Sequence, residues 1–306
     1  MTTYVFPGQG SQIVGMSEDF YKNFAIAKNT IEEIEDYSKI NLKKIIFKDP
    51  NNQLNLTNYT QIAIFAASLC IFKTYQNEKG LNLNSINTML GHSLGEYSAL
   101  ACSEKLSLKD CSIILKRRGE LMHNAVEPNK TGMAALIGLS SSQVQNIIDQ
   151  NNLNIKIAND NSQIQIVISG SINELENSKP AFLDNKVKKF VKLNVSAAFH
   201  SDYMLNAQKE LSLEIDKLNF LINNINIISN FNAKTSNESM DIKESLKNQM
   251  ANKVRWTESI KNLEKDGENK IIEIGPGKIL SGLIKRISTN FDIKSINTIN
   301  DLDNNL

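Results

Sequence analysis

The hydrophobic positions of this chain fall in short runs, and several of these runs end at a glycine-rich turn. Apolar runs at residues 4–6, 88–90 and 271–274 lead into turns at residues 7–12, 91–95 and 275–278. A pattern typical of helices follows each turn. Repeated strand, turn and helix predict an α/β fold with a mostly parallel sheet. Functional groups are then expected in the turns, outside the carboxyl ends of the strands.

The pattern changes in the middle of the chain. Polar and apolar residues predict strands at residues 133–137, 155–158, 165–169 and 188–193, and a helix at residues 141–150. A second helix is predicted after Ser171, because Ser171 and Glu174 form a capping-box signature. The order βαββαβ is the ferredoxin-like pattern. We therefore predict a large α/β domain of residues 1–127 and 197–306, with an inserted ferredoxin-like subdomain of residues 128–196.

Composition narrows the class of protein. The 306 residues carry 34 Lys+Arg against 33 Asp+Glu, so bulk positive charge for binding nucleic acid is absent. The longest near-apolar run, at residues 62–72, is too short for a membrane span, and the start lacks a basic segment followed by an apolar one. The cysteines at 70, 102 and 111 match neither a disulfide framework nor a zinc site. We expect a cytoplasmic protein with buried thiols, no membrane insertion and no metal.

The turn at residues 91–95 has the sequence Gly-His-Ser-Leu-Gly, which is the G-x-S-x-G nucleophile elbow. Such a turn joins a strand sharply to a helix and exposes the serine hydroxyl, here that of Ser93. The backbone N–H of Leu94 would then point from the start of the helix toward a developing oxyanion. The other explanation of these residues is a structural turn without chemistry.

A serine nucleophile needs a base, and the chain has three histidines. His92 adjoins Ser93, so its side chain should leave the turn on another side, and His123 falls near the end of the next helix. Elimination leaves His200, on a loop after the last strand of the predicted subdomain. No acidic residue obviously suited to orient its ring precedes it. A backbone carbonyl or a side-chain amide would have to take that role.

A cation lies on an apolar helix face. After a capping signature at Ser107, apolar residues recur every three or four positions, and Arg118 falls on the same stripe. A buried guanidinium needs a partner. Periodicity alone leaves two explanations open, a structural ion pair and a substrate carboxylate held by two hydrogen bonds.

Two glycine-rich turns could suggest nucleotide binding, but neither motif is complete. Ile13 stands where the dinucleotide fingerprint needs its third glycine, and Ile279 stands where a P-loop needs Ser or Thr. Neither turn therefore supports a nucleotide cofactor.

Taken together, these motifs resemble the malonyl-CoA:acyl carrier protein transacylases of fatty-acid synthesis. The matching segments follow the family order over nearly the whole chain and are residues 6–12, 91–98, 118–119, 165–170, 199–201, 256 and 273–277. The resemblance implies an α/β-hydrolase-like core with an inserted ferredoxin-like subdomain, in agreement with the patterns above.

The resemblance also implies roles for particular residues. Ser93 would attack the malonyl thioester, and His200 would act as its base and later as an acid. The backbone N–H groups of Gln9 and Leu94 would form the oxyanion hole. Arg118 would bind the free carboxylate of malonate. The substrates would be malonyl-CoA and acyl carrier protein, with no bound cofactor.

Three residues are expected to support this site. Gln249 matches a family amide near the active-site histidine, whose own orienting contact is expected from a main-chain carbonyl. His92 and Phe199 flank the nucleophile and the base. Ala197 departs from a histidine often found in malonyl-selective relatives, but Phe199 is kept, which favours malonyl over branched acyl groups. A second departure, Gln163 in place of proline, falls in a predicted turn of the subdomain.

Carrier proteins are usually acidic, so basic residues near the mouth of the site are candidates for docking: Lys186, Lys188, Lys189, Lys285 and Arg286. Ordinary solvated surface is the other explanation of these residues.

Two other functions use the same residues. A serine esterase or thioesterase would share the elbow, but the missing acid before His200 and the apolar-face Arg118 argue against it. A catalytically silent module that binds carrier protein would not need Ser93, His200 and Arg118 together.

Overall fold

The computed structural model of the chain describes residues 2–303. The strands in chain order are β1 (Thr2–Phe6), β2 (Thr88–Gly91), β3 (Thr131–Ile137), β4 (Lys156–Ser162), β5 (Gln165–Ser171), β6 (Lys189–Lys192), β7 (Asn226–Ile228), β8 (Thr235–Ser236), β9 (Lys270–Ile274) and β10 (Asp292–Ile296). The α-helices in chain order are α1 (Glu18–Asn23), α2 (Ala25–Ser38), α3 (Leu42–Phe47), α4 (Thr57–Glu78), α5 (Gly95–Cys102), α6 (Leu108–Asn124), α7 (Ser141–Gln150), α8 (Ile172–Asp184), α9 (Leu205–Ile215), α10 (Ser239–Lys247), α11 (Trp256–Lys265), α12 (Ile279–Ile287) and α13 (Asn300–Asp303).

The larger sheet has the strand order β10-β9-β1-β2-β7-β8. Its first five strands are parallel, and only β8 pairs antiparallel, with β7. The mostly parallel sheet is therefore confirmed. The three strands predicted to end in glycine-rich turns, β9, β1 and β2, are direct neighbours, so their turns lie side by side at one edge.

Both faces of this sheet are covered, which explains the near-continuous apolar runs of its strands. On β1, Tyr4 and Phe6 pack with Phe72 of α4, whereas Val5 faces the opposite cluster around Trp256. The helix α4 is buried along most of its length. Although it has 22 residues, neither it nor any other helix within residues 2–303 combines the length and hydropathy that a membrane crossing requires.

The smaller sheet is antiparallel, in the order β4-β5-β3-β6. With α7 and α8 it follows the predicted order βαββαβ, and Ser171 forms the predicted capping box. Alternate residues of β3 divide between two cores. Ala134 and Leu136 pack with the residues of α7 and α8, while Met133 and Ala135 belong to the core of the larger body.

Two strands of the smaller sheet differ from the prediction. The strand predicted at residues 155–158 continues to Ser162, because its pairing with β5 runs on to Ser162 opposite Gln165, and Asn159 also bridges to Val254 of the larger body. The strand predicted as half-buried, β6, is largely exposed, and Val191 keeps 45% of its surface. The reason is its position at the sheet edge, where it pairs only with β3.

A cleft of about 430 Å³ lies between the two sheets. Its wall includes the turn after β1, residues of β3 and β5, and the first turns of α12. This cleft is distinct from the sites of Cys70, Cys102 and Cys111, which are buried and free, as predicted. Of the three glycine-rich turns, those after β1 and β2 border the cleft.

Candidate active site

The turn between β2 and α5 has the geometry of a nucleophile elbow. Ser93 has a φ of +53°, a left-handed conformation that L-residues rarely adopt. A Cβ on Gly91 would come within 2.0 Å of the backbone of Gly95, and one on Gly95 within 2.2 Å of the carbonyl oxygen of Phe6. Both glycines are therefore required for the elbow to pack against the end of β1.

His200 contacts the hydroxyl of Ser93. Its Nε2 lies 2.9 Å from Ser93 Oγ, and its Nδ1 lies 3.2 Å from the carbonyl oxygen of Gln249 and 3.0 Å from that of Asn252. Carbonyl oxygens only accept, so Nδ1 carries the proton and Nε2 is free to accept one from Ser93. A backbone carbonyl is thus the orienting group, one of the two possibilities that the sequence left open.

Burial keeps this histidine neutral. Desolvation, followed by the nearby charge of Arg118, lowers the pKa of His200 from 6.5 to about 3. A neutral ring is the form that can accept a proton.

The other histidines lie elsewhere, in agreement with the elimination. His92 is buried, with Nε2 2.8 Å from Asn161 Oδ1 and its ring 5.6 Å from that of Trp256. His123 lies in the last turn of α6. Asn161, at the predicted turn of the smaller sheet, therefore contacts the elbow through His92.

Arg118 is fully buried beside the nucleophile. Its Nη1 donates to Gln61 Oε1 at 2.6 Å, and its Nη2 donates to Gln249 Oε1 at 2.8 Å and to Ser93 Oγ at 3.1 Å. Its guanidinium carbon lies 5.5 Å from the centre of the Tyr97 ring. No Asp or Glu among residues 2–303 forms an ion pair with it. The structural ion pair, one of the two explanations of Arg118, is therefore not found.

Two backbone N–H groups near Ser93 have no acceptor among residues 2–303. They belong to Leu94, which precedes α5, and to Gln9, in the turn after β1. The side chain of Gln9 is held by Thr57 Oγ1 at 3.4 Å. Phe199, beside the base, is buried. The resemblance assigned both N–H groups to an oxyanion hole, and both remain free to donate.

Three residues of the site were not singled out from the sequence. Glu96 Oε2 accepts hydrogen bonds from Gln249 Nε2 at 2.8 Å and from the N–H of Asn230 at 3.0 Å. Burial raises the pKa of Glu96 to about 7. Asn230 in turn accepts from the N–H of Ser93 at 2.6 Å, and Gln61 is the acceptor for Arg118 described above.

The sequence carries a signal for two of these three. Glu96 stands in a helix of otherwise small and apolar residues, and Gln61 directly precedes the longest apolar run. A polar residue in such a place needs a partner. Asn230 lies in a loop after β7 and has no comparable signal.

The candidate docking residues are exposed. Lys186 and Lys188 lie between α8 and β6, Lys189 begins β6, and Lys285 and Arg286 lie in the last turn of α12. Arg286 Nη1 donates to Gln165 Oε1 at 2.6 Å, and Gln165 lines the cleft. Arg286 is therefore placed at the lip of the cleft.

The chain is similar to known acyltransferases over nearly its whole length. The family model of the acyl transferase domain matches residues 3–305. The malonyl CoA-acyl carrier protein transacylase of Bacillus subtilis strain 168 is 36% identical over 289 residues, which are 93% of this chain and 90% of that protein.

Solved structures agree with this. The acyl-carrier-protein S-malonyltransferase from Bartonella henselae has a TM-score of 0.94 at 34% identity, and the match covers 99% of this chain and 97% of that one. A malonyl-transacylase in complex with a holo acyl-carrier protein of type II polyketide synthesis has a TM-score of 0.93 at 32% identity, with the same coverage of both chains.

Proposed function

The chain belongs to the acyl transferase domain family, and we propose on that premise that Ser93 carries a malonyl group from malonyl-CoA to the phosphopantetheine thiol of acyl carrier protein. The overall reaction is S-malonyl transfer. The buried Arg118 is the observation that carries the assignment to this site. It lacks a carboxylate partner among residues 2–303 and lies 3.1 Å from Ser93 Oγ. One methylene separates the two carboxyl carbons of malonate, so a malonyl ester on Ser93 would bring its free carboxylate to this guanidinium.

In the first half-reaction His200 Nε2 takes the proton of Ser93, and Oγ attacks the thioester carbonyl carbon. The oxyanion of the tetrahedral intermediate accepts hydrogen bonds from the N–H groups of Gln9 and Leu94. The carbon–sulfur bond then breaks, and His200 returns its proton to the sulfur of CoA. The products are free CoA and a malonyl ester on Ser93.

The second half-reaction runs in the opposite direction with a different thiol. His200 takes the proton of the phosphopantetheine thiol, and the sulfur attacks the ester carbonyl. The bond to Ser93 Oγ breaks, and Oγ receives the proton from His200. The same groups thus serve both steps, and the two thiols occupy the site in turn.

The cleft of about 430 Å³ is the proposed path for the pantetheine arms of both substrates. It is bordered by Gln9 and His92, next to the elbow, and its polar and apolar lining suits a chain of amides and methylenes. These steps use only side chains and backbone groups of the chain. We therefore propose that the reaction needs no bound cofactor.

We also propose the finer description of the fold. The larger body, residues 1–127 and 197–306, corresponds to an α/β-hydrolase-like core, and residues 128–196 to a ferredoxin-like subdomain. Support comes from the antiparallel strand order β4-β5-β3-β6 and from a separate hydrophobic cluster whose members all lie between residues 134 and 190.

Carrier protein is proposed to dock at the lip of the cleft through Arg286, with Lys285 beside it and with Lys186, Lys188 and Lys189 as further contacts. Lys189 pairs with Ile137 and Ile137 pairs with Gln165, so these lysines lie at the same end of the smaller sheet as the partner of Arg286. An acidic partner would meet positive charge there.

The experiment that tests the function is intact-mass measurement after incubation with malonyl-CoA. The expected result is addition of one malonyl group to the wild type and none to Ser93→Ala, followed by loss of the group when holo carrier protein is added. An unmodified wild type, or a modified Ser93→Ala, would refute the proposal. Rapid hydrolysis of malonyl-CoA to free malonate in the absence of carrier protein would identify a thioesterase instead.

A further inference from the structure

Each of the two peptide groups that flank Ser93 is held by a different side chain, one by Asn230 and the other by Gln249. Asn230 accepts from the N–H of Ser93 at 2.6 Å and donates to the carbonyl of Gly91 at 2.7 Å. Gln249 donates through Nε2 to the carbonyl of Ser93 at 2.9 Å. The backbone N–H of Asn230 and the side-chain Nε2 of Gln249 both donate to one atom, Oε2 of Glu96. Glu96 therefore links the two groups that hold the nucleophile in its left-handed conformation.

The direction of the Gln249 amide depends on this contact. In the observed orientation Oε1 faces Arg118, a donor, while Nε2 faces the Ser93 carbonyl and Glu96, both acceptors. The flipped amide would set donor against donor at Arg118 and acceptor against acceptor at Glu96. Oε2 of Glu96 accepts from both N–H groups, so it disfavours the flipped state on one side as the guanidinium does on the other.

We propose that Glu96 is a positioning residue for malonyl transfer, which acts by fixing the side-chain amide of Gln249 and the backbone of Asn230, and through them the guanidinium of Arg118 and the hydroxyl of Ser93. The inference rests on the proposed function and adds a specificity determinant to it. Glu96 touches no substrate in this scheme. Loss of its acceptor frees the amide of Gln249 to turn, and Arg118 then loses one of the contacts that hold it at the distance of a malonyl carboxylate.

A role in filling the core would not require a carboxyl group at this place. Glu96 is completely buried, and its second oxygen, Oε1, has no hydrogen-bond partner among residues 2–303. The residue also borders a cavity of about 210 Å³ on the side of β7 and α10, so its surroundings are not densely packed. An apolar side chain could fill the same space, but it would leave two buried N–H groups without an acceptor. What the carboxyl group supplies is the acceptor for two N–H groups.

The test compares Glu96→Ala and Glu96→Gln by single-turnover loading of Ser93 from malonyl-CoA and from acetyl-CoA, followed by intact mass. Glu96→Ala removes the acceptor and is expected to slow malonyl loading by about 10- to 100-fold, the scale of a misplaced catalytic group. Acetyl loading should slow less, so the malonyl-to-acetyl ratio falls. Glu96→Gln retains an oxygen that can accept the same two N–H groups, and it should restore most of the ratio.

Glu273→Ala is the matched control. Glu273 is also completely buried and also accepts two hydrogen bonds, here from the backbone N–H groups of Leu280 at 2.9 Å and Ser281 at 2.7 Å. It lies on β9 and contacts none of the residues that hold Ser93. The control should lower stability without changing the malonyl-to-acetyl ratio.

An unchanged ratio in folded Glu96→Ala, or an equal fall in Glu273→Ala, would overturn the inference. If Glu96→Ala fails to fold, Glu96→Asp keeps the charge but withdraws the oxygen by one methylene. The ratio should then fall in the same direction, and an unchanged ratio in this variant would equally overturn it. Failure of the wild type to load malonyl would instead refute the proposed function, so the two outcomes are distinguishable.

Discussion

Nη2 of Arg118 lies 3.1 Å from Oγ of Ser93, so the buried cation and the nucleophile share a hydrogen bond. This contact determines how far an acyl group on Ser93 must extend to reach the guanidinium. In the proposed malonyl ester, the second carboxyl group lies one methylene away from the reacting carbonyl and would reach the guanidinium, whereas an acetyl group would bring it no carboxylate. Selectivity would then follow from a charge placed close to the reacting oxygen.

Replacement of Arg118 tests this directly. Arg118→Ala should reduce malonyl loading of Ser93 by about 10- to 100-fold, because a charged hydrogen-bond partner is lost, and should reduce acetyl loading much less. The adjacent Arg117 is the control, since it is partly exposed and pairs with Glu210 and Glu214 on the surface. Arg117→Ala should leave both rates unchanged. A full malonyl preference in Arg118→Ala would mean that the carboxylate is recognised elsewhere.

The pH dependence of loading should lack the usual histidine transition. Burial lowers the pKa of His200 to about 3, so the ring stays neutral as the pH falls below 6.5. Burial raises the pKa of Glu96 to about 7, so the profile is measured in Glu96→Gln, whose side chain does not titrate. Single-turnover loading of this variant followed by rapid quench should show no decline centred near 6.5, and a decline with that midpoint would mean that His200 is solvated in the working enzyme.

The lowered pKa of His200 also makes the free energy of unfolding depend on pH. In the unfolded chain the ring takes up a proton near pH 6.5, whereas in the folded chain it does so only near 3. Its contribution to the free energy of unfolding is thus complete above 6.5 and is lost as the pH falls toward 3. Urea unfolding across this range should show a smaller decline for His200→Ala than for the wild type, and equal declines would contradict the shift.

A pair of glycine substitutions tests the elbow. Gly95→Ala places a Cβ 2.2 Å from the carbonyl oxygen of Phe6, so it should destabilise the fold by about 1–3 kcal/mol or more and impair loading. Gly282→Ala, within α12, meets no atom within 4 Å and should instead stabilise by roughly 0.5–1 kcal/mol. Urea unfolding of both variants measures the difference. Equal effects would mean that the elbow can widen to accept a side chain.

Reversal of charge at the lip of the cleft should weaken carrier docking. Arg286→Glu is expected to raise the KM for holo carrier protein about two- to fivefold, an effect that added salt diminishes. Loading from malonyl-pantetheine, which lacks the nucleotide phosphates, should be unchanged. Lys109→Glu, in the first turn of α6, is a control on another surface. If both variants behave alike, Arg286 has no particular role in docking.

Much of the fold follows from local patterns in the sequence. The helix predicted at residues 141–150 is α7 to the residue, and the capping signatures at Ser107 and Ser171 begin α6 and α8. These elements are predictable because periodicity and capping are properties of neighbouring residues. The exposure of β6 was not predictable in this way, because it depends on the position of the strand at the edge of the sheet.

The residues of the site also divide into those that local sequence patterns predict and those that they do not. Ser93 and Arg118 follow from a turn motif and a helical stripe, and His200 from elimination among three histidines. Asn230 and Glu96, 134 positions apart in the chain, meet only after β7 has paired with β2. Hydrogen bonds between such distant residues have no periodicity to reveal them, although an isolated Glu in an apolar helix indicates that some partner must exist.

The ring of His200 is oriented by two peptide carbonyls, those of Gln249 and Asn252. Neutral dipoles stabilise an imidazolium ion less than a full negative charge would, so this base removes protons weakly. A thiol, with a pKa near 8.5, gives up its proton far more readily than water, whose pKa is about 15.7. In the first proposed step the same ring takes the proton of the Ser93 hydroxyl, which is about as weakly acidic as water, so that transfer depends on the 2.9 Å contact between Nε2 and Oγ. In the second proposed step no such contact is needed for a thiol, whose greater acidity favours it over water as the acceptor of the acyl group.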